Sequence, residues 1–288
     1  MRYTMIINVQ KNRSLSEFST FGIGGPISHF IEVKTGAEMA DAFAFAKEQS
    51  LPCLILGKGS NCLFPDEGFS GLAILNKIDF IEWGEGTLRV GSGYNFSLLG
   101  VQTARKNWAG LEFASGIPAT VGGAIFMNAG ANGGSTSDCL ETVTFLDVDG
   151  QKHLFQRSEL SFSYRHSPFQ QMRGAILEAS FRLKPEPTAR AKQLQIIDYR
   201  LKTQPYNDKS AGCVFRNPET GLSAGALIER CGLKGLTIGG AKISEMHANF
   251  IINTERATAQ DVKALIAEIQ ARVQKQTGVR LELEVRIL

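Results

Sequence analysis

The run from Gly110 to Gly134, GLEFASGIPATVGGAIFMNAGANGG, constrains this chain more than any other stretch. Gly116, Gly122, Gly123, Gly130, Gly133 and Gly134 stand among Ser115, Thr120, Asn128 and Asn132, and almost nothing in the run is charged. Glycine reaches backbone angles that other residues avoid and lets a second backbone or a ligand come close. Such a loop presents N–H groups and small hydroxyls, which suits phosphates and flat heterocycles. The same glycines would also serve as bends in a β-rich domain, and on their number alone the two readings are equal.

A second glycine turn shifts the balance towards ligand binding. Cys53-Leu54-Ile55-Leu56 is a short apolar run of buried-strand type that feeds straight into Gly57-Lys58-Gly59-Ser60-Asn61. The turn is not a Walker A loop, because the G-K-[ST] ending is missing, and Cys62 stands where a dinucleotide fingerprint needs its third glycine. Gly91-Ser92-Gly93 fails the same test, with Phe96 in the third position. Read by itself, 57–61 is equally a phosphate loop or a plain strand-to-helix turn.

The remaining pattern mixes both periodicities. Ser19–Pro26, STFGIGGP, leads into a strand-like run from Ile27 to Val33. The spacing of Met39, Ala42, Phe43 and Ala46 predicts a helix over 37–49. Strands are expected at 72–75, 79–83 and 87–90, then a helix over 97–106. Strands over 141–148 and 152–155 meet at Asp149-Gly150, a strong hairpin signal. Phe162 to Phe169 breaks the pattern and puts aromatics around Arg165, before a strand over 175–183; Pro185 and Pro187 mark a domain boundary. Beyond it come a basic helix over 189–202, a polar loop from Asp208 to Pro218, a helix over 223–231 and a loop and strand over 243–254. The last helix opens on a Thr258…Asp261 cap, carries the stripe Val262, Leu265, Ile266, Ile269 and Val273, and ends at Gly278. An alternating strand is expected over 280–288.

Composition narrows the class. The 288 residues are 43% hydrophobic, enough for two domains or three small ones. A net charge of +3, from 31 basic and 28 acidic residues, argues against nucleic-acid or membrane-surface binding. No apolar run is long enough to span a bilayer. Met1 to Arg13 lacks a small-residue cleavage site and reads as a strand rather than a signal peptide. Cys53, Cys62, Cys139, Cys213 and Cys231 are odd in number and form no C-x-x-C pair, which fits thiols kept reduced in a cytoplasm. The 4 histidines show no zinc-like spacing, so no metal is expected.

Together the motifs resemble one family, the UDP-N-acetylenolpyruvoylglucosamine reductases. The resemblance runs in order through Ser19–Gly25, Gly57–Asn61, Gly110–Gly134, Tyr164–Ser167 (YRHS), Ser210–Pro218 (SAGCVFRNP), Gly239–Asn253 (GGAKISEMHANFIIN) and Glu284–Ile287 (EVRI). The short spacing from Asn217-Pro218 to Ala224-Gly225 resembles the compact members, which lack an inserted loop and its substrate-covering tyrosine. The resemblance implies an α+β fold: a two-lobed FAD-binding unit of the vanillyl-alcohol-oxidase (PCMH) type, with lobes at 1–75 and 76–187, and a smaller C-terminal α+β substrate domain at 188–288. It implies non-covalent FAD, NADPH as co-substrate, and reduction of UDP-N-acetylglucosamine enolpyruvate to UDP-N-acetylmuramate for peptidoglycan, by a cytoplasmic monomer.

The resemblance also implies roles. FAD would be held by Gly57, Lys58, Gly59, Ser60, Asn61, Ser115, Gly116, Ile117, Thr120, Gly122, Gly123 and Asn128. Arg165 would grip the substrate carboxylate with its planar fork; without the resemblance, a surface ion pair is the better reading. Cys213 stands where most members carry the proton-donating serine. A thiol, with a reference pKa of about 8.5, is more acidic than a hydroxyl and suits the task, although most such cysteines are small buried hydrophobes. Glu284 matches the catalytic glutamate, while strand alternation puts Glu282, Glu284 and Arg286 on one face and does not choose between the glutamates. Tyr164 and Asn217 would contact substrate, Arg216 replaces the usual lysine, and His247 is equally a contact to the substrate diphosphate or a satisfied loop histidine. An FAD oxidase of the same binding class and a non-catalytic nucleotide-binding scaffold are the alternatives.

Overall fold

The structure is a computed structural model that describes residues 8–219 and 221–288. The strand expected from Met1 to Arg13 falls mainly on residues outside the described ones. The chain divides into two compact units. The first takes Ser28–Lys58 and Ser70–Arg200 with residues 8–11, and the second takes Asn12–Ile27, Gly59–Phe69 and Leu201–Leu288.

The first unit holds two sheets. The strands Pro26–Val33, Phe69–Asn76 and Cys53–Leu56 lie side by side in that order, with Cys53–Leu56 running parallel to its neighbour. The helix Gly36–Glu48 buries Met39, Ala42, Phe43 and Ala46, the face its spacing predicts, in a core with Ile31, Val33, Leu72 and Ile74. The second sheet is antiparallel, in the order Lys152–Gln156, Leu140–Asp147, Gly174–Arg182, Thr87–Gly91, Ile81–Trp83. Its central strands are buried on both faces: Leu146, Ala175 and Leu177 join the first core, while Val143, Ala179 and Phe181 join a second one under the helices Phe96–Arg105 and Val121–Phe126. Alternate residues of a strand point to opposite faces, and the register shift by which Thr144 faces Glu178 but Phe145 faces Ile176 inverts that alternation along Gly174–Arg182, so Ala175 and Leu177 serve one core and Ala179 and Phe181 the other. The expected hairpin at Asp149-Gly150 is present, with Leu146 opposite Lys152 and Gly150 at φ 85°.

Three expectations change here. Cys53–Leu56 is an edge strand, not a buried one; it pairs on one side only, and among its residues only Leu56 is buried. The strand expected from Asp79 begins at Ile81, because the Asn76 side chain takes the Ile78 N–H at 3.0 Å and draws the chain out of the sheet. The glycine-rich run, expected as loop, contains the short helix Val121–Phe126 and a small hairpin of Gly130–Ala131 with Gly134–Ser135.

The second unit is an antiparallel sheet in the order Lys209–Cys213, Phe250–Asn253, Ala241–Ile243, Thr237–Ile238, packed with the helices Ala224–Arg230 and Ala259–Thr277. The long helix matches its sequence pattern in full. Thr258 and Asp261 form the capping box, Gly278 ends it at φ 74°, and Val262, Leu265, Ile266, Ile269 and Val273 are buried. The alternating strand expected over 280–288 shrinks to Arg286–Ile287, which pairs in parallel with Cys62–Leu63. Its alternation is partly real, with Leu281 and Val285 buried and Glu282 exposed. The ladder fails because Val214 O accepts from both Glu284 N (2.8 Å) and Val285 N (3.3 Å), which breaks the one-to-one register. Among the described residues no helix is long and apolar enough to cross a membrane, and no cluster of side chains could hold a metal.

Candidate active site

In the first unit the two glycine-rich segments meet. A methyl group on Gly57 would lie 2.6 Å from Thr120 Oγ1, and Thr120 in turn caps the helix Val121–Phe126 by accepting from Gly123 N at 3.3 Å. The sequence suggests a loop of spare N–H groups, but most of them hold the loop's own shape. Gly116 N donates to Ser97 Oγ (2.7 Å), Ile117 N to Ala114 O (2.9 Å), Val121 N to Tyr94 O (2.9 Å) and Gly122 N to Ser92 O (2.8 Å). The N–H groups of Lys58, Gly59 and Ser60, by contrast, find no backbone acceptor among the described residues. Gly59 itself, in the second unit, sits at φ 58° with Phe18 O only 2.0 Å from where a Cβ would be, so no other residue fits there.

Two observations fit this surface to an FAD diphosphate. Ser115 Oγ is buried with no hydrogen-bond partner among the described residues, and buried polar atoms ordinarily have one. Gly123 is exposed, and a methyl group there would meet only Thr120 Oγ1, at 3.4 Å, so packing gives no reason for glycine at this position. A ligand lying on it would. Gly123→Val is therefore expected to fold, because its added atoms enter open space, yet to purify without flavin; a melting curve and the flavin absorbance of the same sample check this. Full flavin content in that variant would remove Gly123 from the cofactor surface. Asn128 is committed differently. Its Nδ2 donates to Ser163 O (2.9 Å) and its Oδ1 accepts from Ser137 N (3.1 Å), so its side chain serves the fold.

Tyr164 and Arg165, also in the first unit, form the tip of a two-residue turn. Ser163 and His166 exchange both backbone hydrogen bonds across it, at 3.2 and 3.1 Å. Arg165 has φ 57°, a left-handed backbone uncommon outside glycine, and its guanidinium lies 4.9 Å from the Tyr164 ring centroid. The turn is pinned from behind. Asn128 holds Ser163 O, Gln170 Nε2 donates to Arg165 O (3.1 Å) and Phe126 O (2.9 Å), and Ser167 Oγ donates to Phe126 O (2.7 Å). Backbone strain maintained by surrounding bonds is a frequent mark of functional positions. Sequence reasoning missed Gln170, whose bonds to two carbonyls and the Met127 sulfur leave no trace in spacing.

The second unit gathers Cys213, Glu284, Asn61, Asn217 and His247 around one segment. Cys213 ends a strand that carries a bulge: Ser210 faces Ile252 and Cys213 faces Phe250, three steps against two. Gly212, at φ 74°, absorbs the extra residue. Bulges turn side chains to new directions and recur beside active sites. Thr20 Oγ1 fixes the near side of this one by donating to Ser210 O at 2.7 Å. Cys213 is half-buried, and on the next residue Val214 O accepts Glu284 N, which brings the thiol's segment beside the glutamate's. Asn61 Nδ2 donates to Glu284 O (3.2 Å), while Arg216 N donates to Glu282 O (2.9 Å). The two glutamates part here, since Glu282 is exposed and Glu284 half-buried.

Asn217 Oδ1 accepts from Ala224 N at 3.0 Å at the start of the helix Ala224–Arg230. His247 Nδ1 accepts from Asn249 N at 3.2 Å. Burial, helped by nearby Lys234, pushes the imidazole's pKa down, so at neutral pH the ring is uncharged and offers one N–H, on Nε2. None of the five cysteines is disulfide-bonded. Burial raises the thiols of Cys53 and Cys139 above their ordinary range and that of Cys62 to about 11, although Cys53 remains exposed at the surface.

A glycine-lined surface with an unpartnered buried serine hydroxyl in the first unit, and a thiol on a segment bonded to a glutamate's in the second, fit a flavin-dependent oxidoreductase. Comparison with known proteins agrees. Residues 27–154 match the family model described as an FAD binding domain, and residues 204–288 match that of the UDP-N-acetylenolpyruvoylglucosamine reductase C-terminal domain. The chain is 57% identical to the UDP-N-acetylenolpyruvoylglucosamine reductase of Protochlamydia amoebophila, over 99% of this chain and 97% of that one. It is 49% identical to the Chlamydia muridarum reductase, over 98% and 95%. The crystal structure of the Thermus caldophilus reductase aligns with a TM-score of 0.83 at 38% identity, over 98% of this chain and 99% of that one. The chain belongs to the UDP-N-acetylenolpyruvoylglucosamine reductase family.

Proposed function

We propose that this protein uses NADPH to reduce UDP-N-acetylglucosamine enolpyruvate to UDP-N-acetylmuramate, a step in making peptidoglycan precursors. Family membership over nearly the whole chain supports the reaction. The observation that carries the chemistry is the Glu284 N to Val214 O bond, which puts a thiol and a carboxyl on neighbouring backbone. FAD held at the glycine-lined surface would supply the redox chemistry, hydride transfer between NADPH and the enolpyruvyl double bond.

The residues do the rest. Residues 57–61 and 115–123 hold the cofactor through backbone and small hydroxyls, with Asn128 supporting from behind. Arg165 grips the substrate carboxylate and stays charged throughout. As hydride arrives at one carbon, negative charge builds on the carbon beside the carboxylate. There the Cys213 S–H bond breaks, a C–H bond forms, and the thiolate left behind recovers a proton from water. Glu284, whose segment is bonded to that of Cys213, is the carboxyl assigned to the developing enolate. Tyr164, Asn217 and His247 contact the rest of the substrate, His247 by a neutral N–H. A monomer in the cytoplasm fits the five unbridged thiols and the balanced charge.

The test is anaerobic. NADPH should bleach the flavin colour, and adding the enolpyruvyl substrate should restore it with formation of UDP-N-acetylmuramate. Colour that returns rapidly with oxygen and never with substrate would point to an oxidase instead.

A further inference from the structure

We propose that Asn249 is a positioning residue for proton delivery, a side-chain splint that holds the Cys213 segment in register with Glu284. This rests on the reading of Cys213 as the proton donor. Asn249 is 3% exposed and directly precedes the strand Phe250–Asn253, whose first residue faces Cys213. Beyond Cys213 the ladder cannot continue residue by residue, because the partner chain folds back: Phe250 N donates to His247 O and Ser244 N to Phe250 O, both at 2.9 Å. Asn249 takes over. Its carbonyl accepts Val214 N at 2.9 Å, its Nδ2 donates to Phe215 O at 2.8 Å and its Oδ1 accepts Phe215 N at 3.0 Å.

One side chain thus gives Phe215 both bonds that a neighbouring strand would give. On the other side of the same segment, Val214 O accepts Glu284 N. Val214 and Phe215 lie between the splint and the glutamate, with the thiol one residue away. Losing the amide leaves a buried N–H and a buried C=O unpaired, and the segment that aims the thiol must shift to satisfy them. Asn249 N also donates to His247 Nδ1, so the same residue sets which nitrogen of that ring carries the proton.

The experiment uses FAD-loaded enzyme with Asn249→Ala, Asn249→Asp, Cys213→Ala and the double variant Asn249→Ala/Cys213→Ala. Flavin bleaching by NADPH and its reversal by substrate are timed separately. The rate of maleimide addition at Cys213 is read by peptide mass spectrometry. In Asn249→Ala, bleaching should stay within about twofold of the parent while reversal slows by roughly 10²-fold, the usual cost of a misplacement of about 1 Å. Cys213 alkylation should change roughly tenfold or more, as a displaced thiol meets different surroundings. In the Cys213→Ala background the same substitution should slow reversal by no more than about twofold, because residues acting as a unit are not additive. Asn249→Asp should behave as the parent at about pH 6, where its buried carboxyl keeps a proton and reproduces both bonds, and lose this as pH rises. That variant carries the comparison if Asn249→Ala does not fold.

Unchanged Cys213 alkylation in Asn249→Ala, equal slowing of both steps, or the same slowing without the thiol would each overturn the splint. Parent-rate reversal in Cys213→Ala alone would overturn the donor assignment, while the alkylation result would still report on whether Asn249 positions the thiol.

Discussion

Cys213→Ala enzyme is expected to keep its flavin, to be bleached by NADPH at the parent rate, and to recover its colour with substrate roughly 10²–10⁴ times more slowly, the usual range for a lost general acid. The selectivity is the point. Hydride entry from NADPH needs no acid, whereas the carbon beside the carboxylate must be protonated. Cys213→Ser should recover much of the lost rate, because the bulge at Gly212 aims whatever side chain follows it and a hydroxyl can also deliver a proton. Single-turnover mixing of pre-bleached enzyme with substrate measures the step. Alkylation should mimic the alanine variant and substrate should protect against it, provided modification at exposed Cys53 is separated by mass spectrometry. An alanine variant as fast as the parent would reduce Cys213 to a packing residue and leave proton delivery to water.

Arg165→Lys should slow the substrate-dependent step by roughly 10- to 100-fold, since a charged hydrogen bond is worth about 1.5–3 kcal/mol and lysine cannot offer the planar fork. Bleaching by NADPH should be little changed. The turn itself should survive, because Asn128, Ser167 and Gln170 pin it through the carbonyls of Ser163, Phe126 and Arg165, which the substitution leaves in place. Steady-state KM for the enolpyruvyl substrate and the single-turnover rate together separate weaker binding from slower chemistry. Equal damage to both half-reactions would mean that Arg165 supports the fold.

What could be read from sequence follows the range of the forces involved. The helix Ala259–Thr277 was legible to the residue because its cap, apolar stripe and terminal glycine lie within one local run. The hairpin at Asp149-Gly150 was legible for the same reason. Cys53–Leu56 was read as buried because apolar composition records a strand's chemistry and not how many neighbours it has. Glu282 and Glu284 are equivalent under alternation and separate only when Val214 and Arg216 bind their segment unevenly. The bulge at Gly212, the Gln170 anchor and the Asn249 clamp all depend on partners distant in the chain, so no local pattern announces them. The glycine-rich run reads in sequence as a loop of spare N–H groups, whereas those of Gly116, Ile117, Val121 and Gly122 are spent on acceptors that no local pattern reveals.

The pairing of Cys62–Leu63 with Arg286–Ile287 has a consequence for biosynthesis. A ribosome adding about 5–20 residues per second makes the first strand roughly 10–45 s before the second. During that interval the Gly59–Asn61 turn has neither the Asn61 to Glu284 bond nor the parallel strand that anchors it. The second unit, although it draws on two segments from the first quarter of the chain, can close only near the end of synthesis. A nascent chain halted before residue 280 should therefore show a protease-sensitive 59–69 segment.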